Sequence, residues 1–573
     1  MFEMKAVKIK WECVFLLLIL AFAFFVSSYN VNDFSLSEAD ARTATGILDY
    51  FLTGELPNTH TLTTGINYFL IPFFLFFGFE PSVFFIAQSV FLVLAVFLVY
   101  LTGKEFYDAK LGLLSALVLV IFPGFILSKH NYFPFVPFLA VLMLFFLHRF
   151  YKTGEKKYLC FTSLTMGVAI NFKYIYIEFI SATLLSLLIL YVLHKDLRKK
   201  FFGTFGTIEP KDAAKNIALV TVFFLASFLP TLALNENPNR IEAIPMLIEE
   251  KGKSLNSASL LDFYLSDNSP LYAKPEFETF LSTPGLVESY IVDIEGTPLK
   301  PGKYVEGFNI ILVIISLAFL ISTGRRKDRF LVLTVTLFLF FIVITPFDTQ
   351  THHFMPVIPV VSLAIGRSAA TIYDRYMVSV ILVLAFFVPF VVFNLGVTLP
   401  SIVQLSNQTF VETYVPELSK VHYLLADELK NASRVVTAQW YYRRSPLYFY
   451  LNGQKITTMC LIRGIEQEGE KGEGCIDEVS FCGELLADCQ NYEKILNDTF
   501  KDPEVYYVFP VNYTEVKNVL IYNLIFCYDG RSKSCYRPFE LFKGYAERMN
   551  KAVHLKKRVN GSTGPVYNIY VVR

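Results

Sequence analysis

The sequence predicts a polytopic α-helical membrane protein, with about eleven transmembrane helices and a soluble α/β domain at the carboxyl end. Hydrophobic residues make up 54% of its 573 residues, and the mean hydropathy is +0.46. Long apolar runs alternate with short basic loops up to residue 399, after which the pattern becomes a mixture of strand-like and helix-like segments. A chain this long and apolar exceeds what a single membrane anchor requires.

The first apolar run, 14–26, follows Lys5, Lys8 and Lys10, which predicts a cytoplasmic amino end. No convincing small-residue cleavage site follows it, so an uncleaved helix is favoured over a signal peptide. The other predicted spans are 82–101, 111–127, 132–150, 159–172, 174–193, 217–234, 308–322, 330–345, 354–370 and 377–399.

Basic residues orient these spans. Loops assigned to the cytoplasm carry Lys104 with Lys110, Arg149 with Lys152, a basic stretch at 195–215, the arginines of 325–329, and Arg367 with Arg375. This agrees with the positive-inside rule and leaves no basic surface that calls for nucleic acid binding. The run at 66–79 contains Pro72 and is too short to cross the bilayer, so we expect a helix on the outer surface within an outer loop at 30–80.

The sequence predicts two domains, a transmembrane domain at 1–399 and an extracytoplasmic domain at 400–573. A long outer loop at 235–305 is interpreted as a folded lid or acceptor platform, or as a solvated spacer. In the second domain, strand-like runs occur at 505–511 and 566–572, and a helix-like run occurs at 415–431.

Cysteines and glycosylation sequons agree with an extracytoplasmic second domain. An even number of cysteines there predicts disulfides, with 527 to 535 as the favoured pair, whereas a zinc site is disfavoured because no C-x-x-C spacing occurs. Sequons begin only after residue 400. The cysteines are Cys460, Cys475, Cys482, Cys489, Cys527 and Cys535, and the sequon asparagines are Asn407, Asn431, Asn497, Asn512 and Asn560.

The first outer loop holds the best candidate for chemistry. Ser37 can cap a helix whose first turn carries Glu38 and Asp40, with Arg42 one turn beyond Glu38. The alternative is a capping box with no catalytic role, since acidic residues are favoured at helix amino ends.

Further cations and histidines are expected at the same outer rim, and they are Lys129, His130, Lys173, His352 and His353. Cations would hold a phosphate, and a carboxylate would take a proton from an attacking hydroxyl. The alternatives are that Lys173 snorkels to the interface and that the histidines are ordinary interfacial residues.

In order and spacing, these features over residues 12–370 resemble the GT-C superfamily of membrane glycosyltransferases, especially protein O-mannosyltransferases and aminoarabinose transferases. The matching stretches are SEAD with Gly54, FFLFFGFEPS, LTMGVAINFKY ending at Lys173, and HHFMPVIPVV with Pro356 and Pro359. Two departures stand out. Ala39 separates the acidic pair, and Asn131 stands where the family often has Asp.

The resemblance implies a hexosyl- or pentosyltransferase that moves a sugar from a polyprenyl-phosphate donor to a protein, lipid or glycan acceptor on the extracytoplasmic face. Glu38 or Asp40 would be the base, and no cofactor is expected. E-x-D also resembles a metal-binding motif of oligosaccharyltransferases, so a divalent metal stays an alternative that is not favoured. The competing hypotheses are a transporter or lipid flippase, for which no inverted repeat is found, and an inactive membrane scaffold.

Overall fold

The structure is a computed structural model with two compact units. The first comprises residues 1–31, 56–293 and 297–403, and the second comprises residues 32–55, 294–296 and 404–573, which include the carboxyl-terminal sheet with its helices. The residues it describes are 11–29, 31, 44, 47–48, 51–52, 64–122, 125, 135–172, 175–193, 210–233, 303–344, 354–375, 387–396, 399, 421–437, 456–458, 496, 498–510, 538–560 and 565–573.

The first unit is helical throughout its described elements. These are α1 (Trp11–Ser28), α2 (Thr64–Phe77), α3 (Pro81–Phe106), α4 (Ala109–Ile121), α5 (Phe135–Thr153), α6 (Lys156–Phe172), α7 (Tyr176–Leu193), α8 (Pro210–Ala233), α9 (Lys303–Thr323), α10 (Arg326–Ile344) and α11 (Ile358–Arg375), followed by a helical segment at Phe387–Gly396. Each predicted span overlaps one of these helices.

By length and composition, four of the described helices can cross a membrane, namely α1, α3, α5 and α7. Shorter apolar helices lie at Ala109–Ile121, Ala218–Leu229, Phe308–Thr323, Ile358–Tyr373 and Phe387–Gly396. The total of about eleven spans stays a prediction. The helix α2 has 14 residues and contains Pro72, and at 1.5 Å per residue it is shorter than the bilayer core. Its position on the outer surface also stays a prediction.

Helix ends follow local chemistry. The Asp108 side chain accepts a hydrogen bond from the Leu111 backbone N–H at 2.9 Å and so caps α4. At the other end of α4, Phe122 takes an extended conformation, as expected for a residue that precedes a proline. The helix therefore ends at Ile121, before the predicted end at residue 127.

The helices α3 and α4 pack closely because glycines face each other across their contact. A Cβ atom added to Gly112 would lie 2.4 Å from the Tyr100 carbonyl oxygen, and one added to Gly103 would lie 2.8 Å from the Gly112 Cα atom. Both obstacles are backbone atoms, which cannot rotate away, so any side chain at either position must separate the helices.

We expect Gly112→Ala to lower the stability of the membrane unit by about 1–3 kcal/mol, because the added methyl group overpacks this contact. Gly396→Ala is the control, since a Cβ atom there would meet nothing within 4 Å. Thermal unfolding in detergent measures the effect. Equal midpoint temperatures for the two variants would contradict the close helix contact.

The second unit contains a five-stranded sheet in the order β2-β1-β3-β5-β4. Its strands are β1 (Arg434–Thr437), β2 (Ile456–Thr458), β3 (Val505–Pro510), β4 (Val553–Asn560) and β5 (Pro565–Val572), with helices α12 (Val421–Leu429) and α13 (Pro538–Arg548). The strand β1 pairs in parallel with β2 and β3, whereas β5 pairs antiparallel with β3 and β4. The strand-like runs at 505–511 and 566–572 correspond to β3 and β5.

Alternation along the central strand builds a core on each face of this sheet. Tyr506 and Val508 pack with Leu425 of α12, whereas Val505, Tyr507 and Phe509 pack on the other side with Phe542 of α13. Successive strand residues point to opposite faces, so one short strand serves both cores.

Two of the five sequon asparagines lie in the described residues, and both are exposed. Asn431 follows α12, and Asn560 ends the edge strand β4. Asn407, Asn497 and Asn512 lie outside the described residues, as do all six of the predicted disulfide cysteines. The proposed disulfides and glycans therefore stay predictions.

Candidate active site

The residues predicted to carry the chemistry lie outside the described part of the chain, and they are Glu38, Asp40, Arg42, Lys129, His130, Lys173, His352 and His353. The ends of the helices next to several of them are described. These helix ends show which of the described segments lie close together.

A buried tyrosine joins the amino ends of α5 and α7. The Tyr176 hydroxyl donates a hydrogen bond to the Val136 carbonyl oxygen, and the Tyr176 side chain is fully buried. Phe135 and Phe172 are in contact beside it, with ring centroids 5.6 Å apart. These contacts bring together the starts of α5 and α7 and the end of α6. In the sequence, residues 128–131 precede α5 and residue 173 follows α6.

An aromatic cluster packs α2 against the start of α5 and the end of α6. The Phe69 ring lies 5.3 Å from that of Phe172, 6.1 Å from that of Phe135 and 5.7 Å from that of Phe91, and all three are edge-on contacts. Such aromatic pairs add to the energy of simple burial. The helix that follows the first outer loop is therefore fixed against the ends of α5 and α6.

The carboxyl end of α6 is fixed from a second side. The Asn171 amide donates a hydrogen bond to the Ser227 carbonyl oxygen of α8 at 2.9 Å. A Cβ atom on Gly167 would lie 2.7 Å from the Phe224 carbonyl oxygen, so this glycine permits the close approach of α8. Both contacts hold the segment just before Lys173.

The start of α11 is also buried, next to the predicted histidine pair. Phe354, Met355 and Val357 are almost completely buried. Pro359 is the second residue of α11, where a missing backbone N–H costs little. Pro356 and Pro359, the prolines in the stretch that resembles the family, thus lie at the start of a buried helix.

Glu178 was not among the predicted site residues. This residue lies in the first turn of α7, five positions after Lys173, and is only 8% exposed. Its Oε2 atom has no hydrogen-bond partner among the described residues. An acidic residue inside an apolar span was the available signal, because charge in a membrane segment is costly unless it has a use.

A buried polar cluster surrounds Asp328 at the start of α10, at the opposite end of the helices from Tyr176. The Asp328 carboxylate accepts hydrogen bonds from the Tyr107 hydroxyl at 2.6 Å and the Thr323 hydroxyl at 2.7 Å. The Arg367 Nε atom lies 3.2 Å from the same carboxylate, and both charged side chains are buried. Burial and the neighbouring Asp328 carboxylate raise the pKa of the Tyr107 phenol, so Tyr107 acts as a donor.

This cluster corrects one interpretation of the sequence. Arg367 was counted among the loop charges that orient the membrane spans, but it lies inside α11 in a buried ion pair. The loop basic residues Arg149 and Lys152 also have acidic partners, since both pair with Glu105. Within the described residues, no group of three His, Cys, Asp or Glu side chains could hold a metal ion.

Comparisons with known proteins agree with the resemblance. The family model described as Dolichyl-phosphate-mannose-protein mannosyltransferase matches residues 63–208, which include α2 to α7. A sequence search of curated proteins finds no match.

Among solved structures, the chain is similar to ArnT from Cupriavidus metallidurans bound to undecaprenyl phosphate, with 13% identity, a TM-score of 0.60 and coverage of 98% of both chains. The apo form of that protein gives 12% identity and a TM-score of 0.58, covering 98% of this chain and 97% of the other. The Archaeoglobus fulgidus oligosaccharyltransferase tethered to an acceptor peptide gives 12% identity and a TM-score of 0.50, covering 88% of this chain and 69% of the other. The resemblance to the GT-C superfamily is confirmed, and the chain has this polytopic membrane fold.

Proposed function

We propose that this chain is a glycosyltransferase that moves a sugar from a polyprenyl-phosphate donor to an acceptor on the extracytoplasmic face of the membrane. One observation carries the proposal. The bond from Tyr176 to Val136 and the contact of Phe135 with Phe172 hold together the starts of α5 and α7 and the end of α6, and in the sequence Lys129 and His130 precede α5 and Lys173 follows α6. Clustered cations at a membrane interface suit a lipid-linked phosphate.

The fold agrees with this donor class. The similar ArnT structure, which this chain matches over 98% of its length, contains undecaprenyl phosphate. Because identity is only 13%, the likeness supports the fold, and the identity of the sugar and the acceptor is left to experiment.

The proposed reaction is a direct displacement. An acceptor hydroxyl oxygen attacks the anomeric carbon of the sugar, and the bond from that carbon to the phosphate oxygen breaks. Glu38 or Asp40 takes the hydroxyl proton, and polyprenyl phosphate leaves with the bonding electrons. Lys173, Arg42, Lys129, His130 and the pair His352 and His353 would stabilise the negative charge on the leaving phosphate. A single displacement inverts the configuration at the sugar carbon.

The carboxyl-terminal unit would bind the acceptor or a partner protein. Its sheet has helices on both faces, and the sequons at Asn431 and Asn560 are exposed, as an extracytoplasmic domain requires. The cytoplasmic amino end and the extracytoplasmic carboxyl-terminal unit are part of this proposal.

A donor-consumption assay tests the proposed function. The purified full-length chain is reconstituted in vesicles with polyprenyl-phosphate donors labelled in the sugar, together with a membrane extract as the source of acceptors. We expect the label to leave the lipid and to appear on a non-lipid or new lipid product. Movement of intact labelled lipid between leaflets without bond cleavage would favour a flippase. Neither movement nor cleavage over a broad donor set would favour a scaffold.

A further inference from the structure

The position of Glu178 on α7 separates it from the lipid-facing side of that helix. Ile177, Leu184 and Leu188 form the exposed stripe, with exposed fractions of 52%, 47% and 55%. Glu178 is turned about 100° from Ile177 and is buried, so it lies on the protein side of the helix. The Tyr176 side chain points in a different direction, toward α5.

Glu178 lies at the level where α10 ends. The Ser186 and Thr334 hydroxyl oxygens are 3.4 Å apart, and the Phe179 and Phe338 rings are 5.9 Å apart, so α7 and α10 run antiparallel. Moving toward the amino end of α7 therefore means moving toward the carboxyl end of α10 at Ile344. The predicted histidines 352 and 353 follow within ten residues of that end.

The chemistry of the buried Glu178 Oε2 atom points to a ligand. Burying a carboxylate oxygen without a hydrogen bond is costly, and among the described residues this atom has no partner, so a ligand that donates a hydrogen bond would stabilise it. Phosphate would be repelled by a carboxylate, whereas hydroxyl groups donate hydrogen bonds to it. A sugar offers several hydroxyl groups close to its phosphate link.

We propose that Glu178 binds hydroxyl groups of the transferred sugar and is a second carboxylate of the site. This inference rests on the proposed function. Glu178 therefore distinguishes sugar-bearing lipid from bare polyprenyl phosphate.

Two substitutions test this role. Glu178→Gln keeps the size of the side chain but removes its charge, and we expect the KM for the sugar donor to rise or kcat/KM to fall by about 10- to 100-fold. Affinity for polyprenyl phosphate without a sugar should equal that of the wild type. Glu178→Leu should abolish transfer while raising the thermal midpoint, because it removes a buried carboxylate oxygen that has no hydrogen-bond partner among the described residues.

Ser186→Ala is the control, since it changes a buried polar residue of the same helix whose hydroxyl already bonds to the Ala182 carbonyl oxygen at 2.7 Å. It should leave donor use unchanged. Wild-type transfer together with normal transfer by Glu178→Gln would overturn the inference and leave the proposed function intact. An equal loss of affinity for bare polyprenyl phosphate would overturn it as well. Absence of wild-type donor consumption would overturn both.

Discussion

Replacing Glu38 and Asp40 together with alanine should reduce sugar transfer by about 10²- to 10⁴-fold, the range that a general base contributes. Both carboxylates belong to the predicted first outer loop, and we propose either one as the base. The double variant removes the base whichever of the two it is, whereas Glu38→Gln and Asp40→Asn alone should identify it. Transfer of labelled sugar from polyprenyl-phosphate donors measures the effect.

The matched control for this experiment is Glu55→Ala, which removes a carboxylate from the same predicted outer loop without changing the acidic pair. It should transfer at the wild-type rate. All variants need equal abundance and equal thermal midpoints for the comparison to count. Equal transfer by the double variant and the wild type would place the base elsewhere in the chain.

Replacing Asp328 with alanine should cost about 3–5 kcal/mol of stability, because it leaves the buried Arg367 guanidinium without its carboxylate. The Asp328 side chain is completely buried and joins the connection before α4, the end of α9, and α11 through Tyr107, Thr323 and Arg367. A thermal or denaturant titration of the purified protein measures the loss.

Removing both charges should be much less harmful than removing one. The double variant Asp328→Leu/Arg367→Met replaces the ion pair with apolar groups, and such replacements are often close to neutral. Glu155→Ala is the surface control, since Glu155 pairs with Lys157 where both side chains are exposed, and its midpoint should not change. If Asp328→Ala were as stable as Glu155→Ala, Asp328 would not hold these elements together.

Hydropathy was enough to predict the helices, because a lipid environment allows only closed backbone hydrogen bonding and long apolar runs. Strand periodicity likewise located β3 and β5. Boundaries were less accurate where a single residue decided them. Phe122 ends α4 because it precedes a proline, a local effect that a hydropathy window averages away.

The interior polar residues could not be predicted, because their roles depend on neighbours that are distant in sequence. From its sequence context, Arg367 resembles a basic loop residue. Its role becomes clear only when the fold places it beside Asp328, which lies 39 positions earlier in the chain. From its sequence context, Tyr176 resembles an interfacial aromatic residue. In the fold its hydroxyl donates a hydrogen bond to the Val136 carbonyl oxygen. Glu178 was visible as an acidic residue in an apolar run, but only the burial of its Oε2 atom without a partner among the described residues marks it as a candidate.

Binding of polyprenyl phosphate to the wild type and to Lys173→Gln tests the central claim most directly. Ligand-induced stabilisation reports the affinity, and polyprenol, which lacks the phosphate, is the ligand control. Lys156→Gln, at the exposed opposite end of α6, is the protein control. We predict that wild type and Lys156→Gln bind polyprenyl phosphate but not polyprenol, and that Lys173→Gln binds about 10- to 100-fold more weakly. Equal binding of polyprenol, or unchanged binding by Lys173→Gln, would contradict a lipid-phosphate site at this end of the helices.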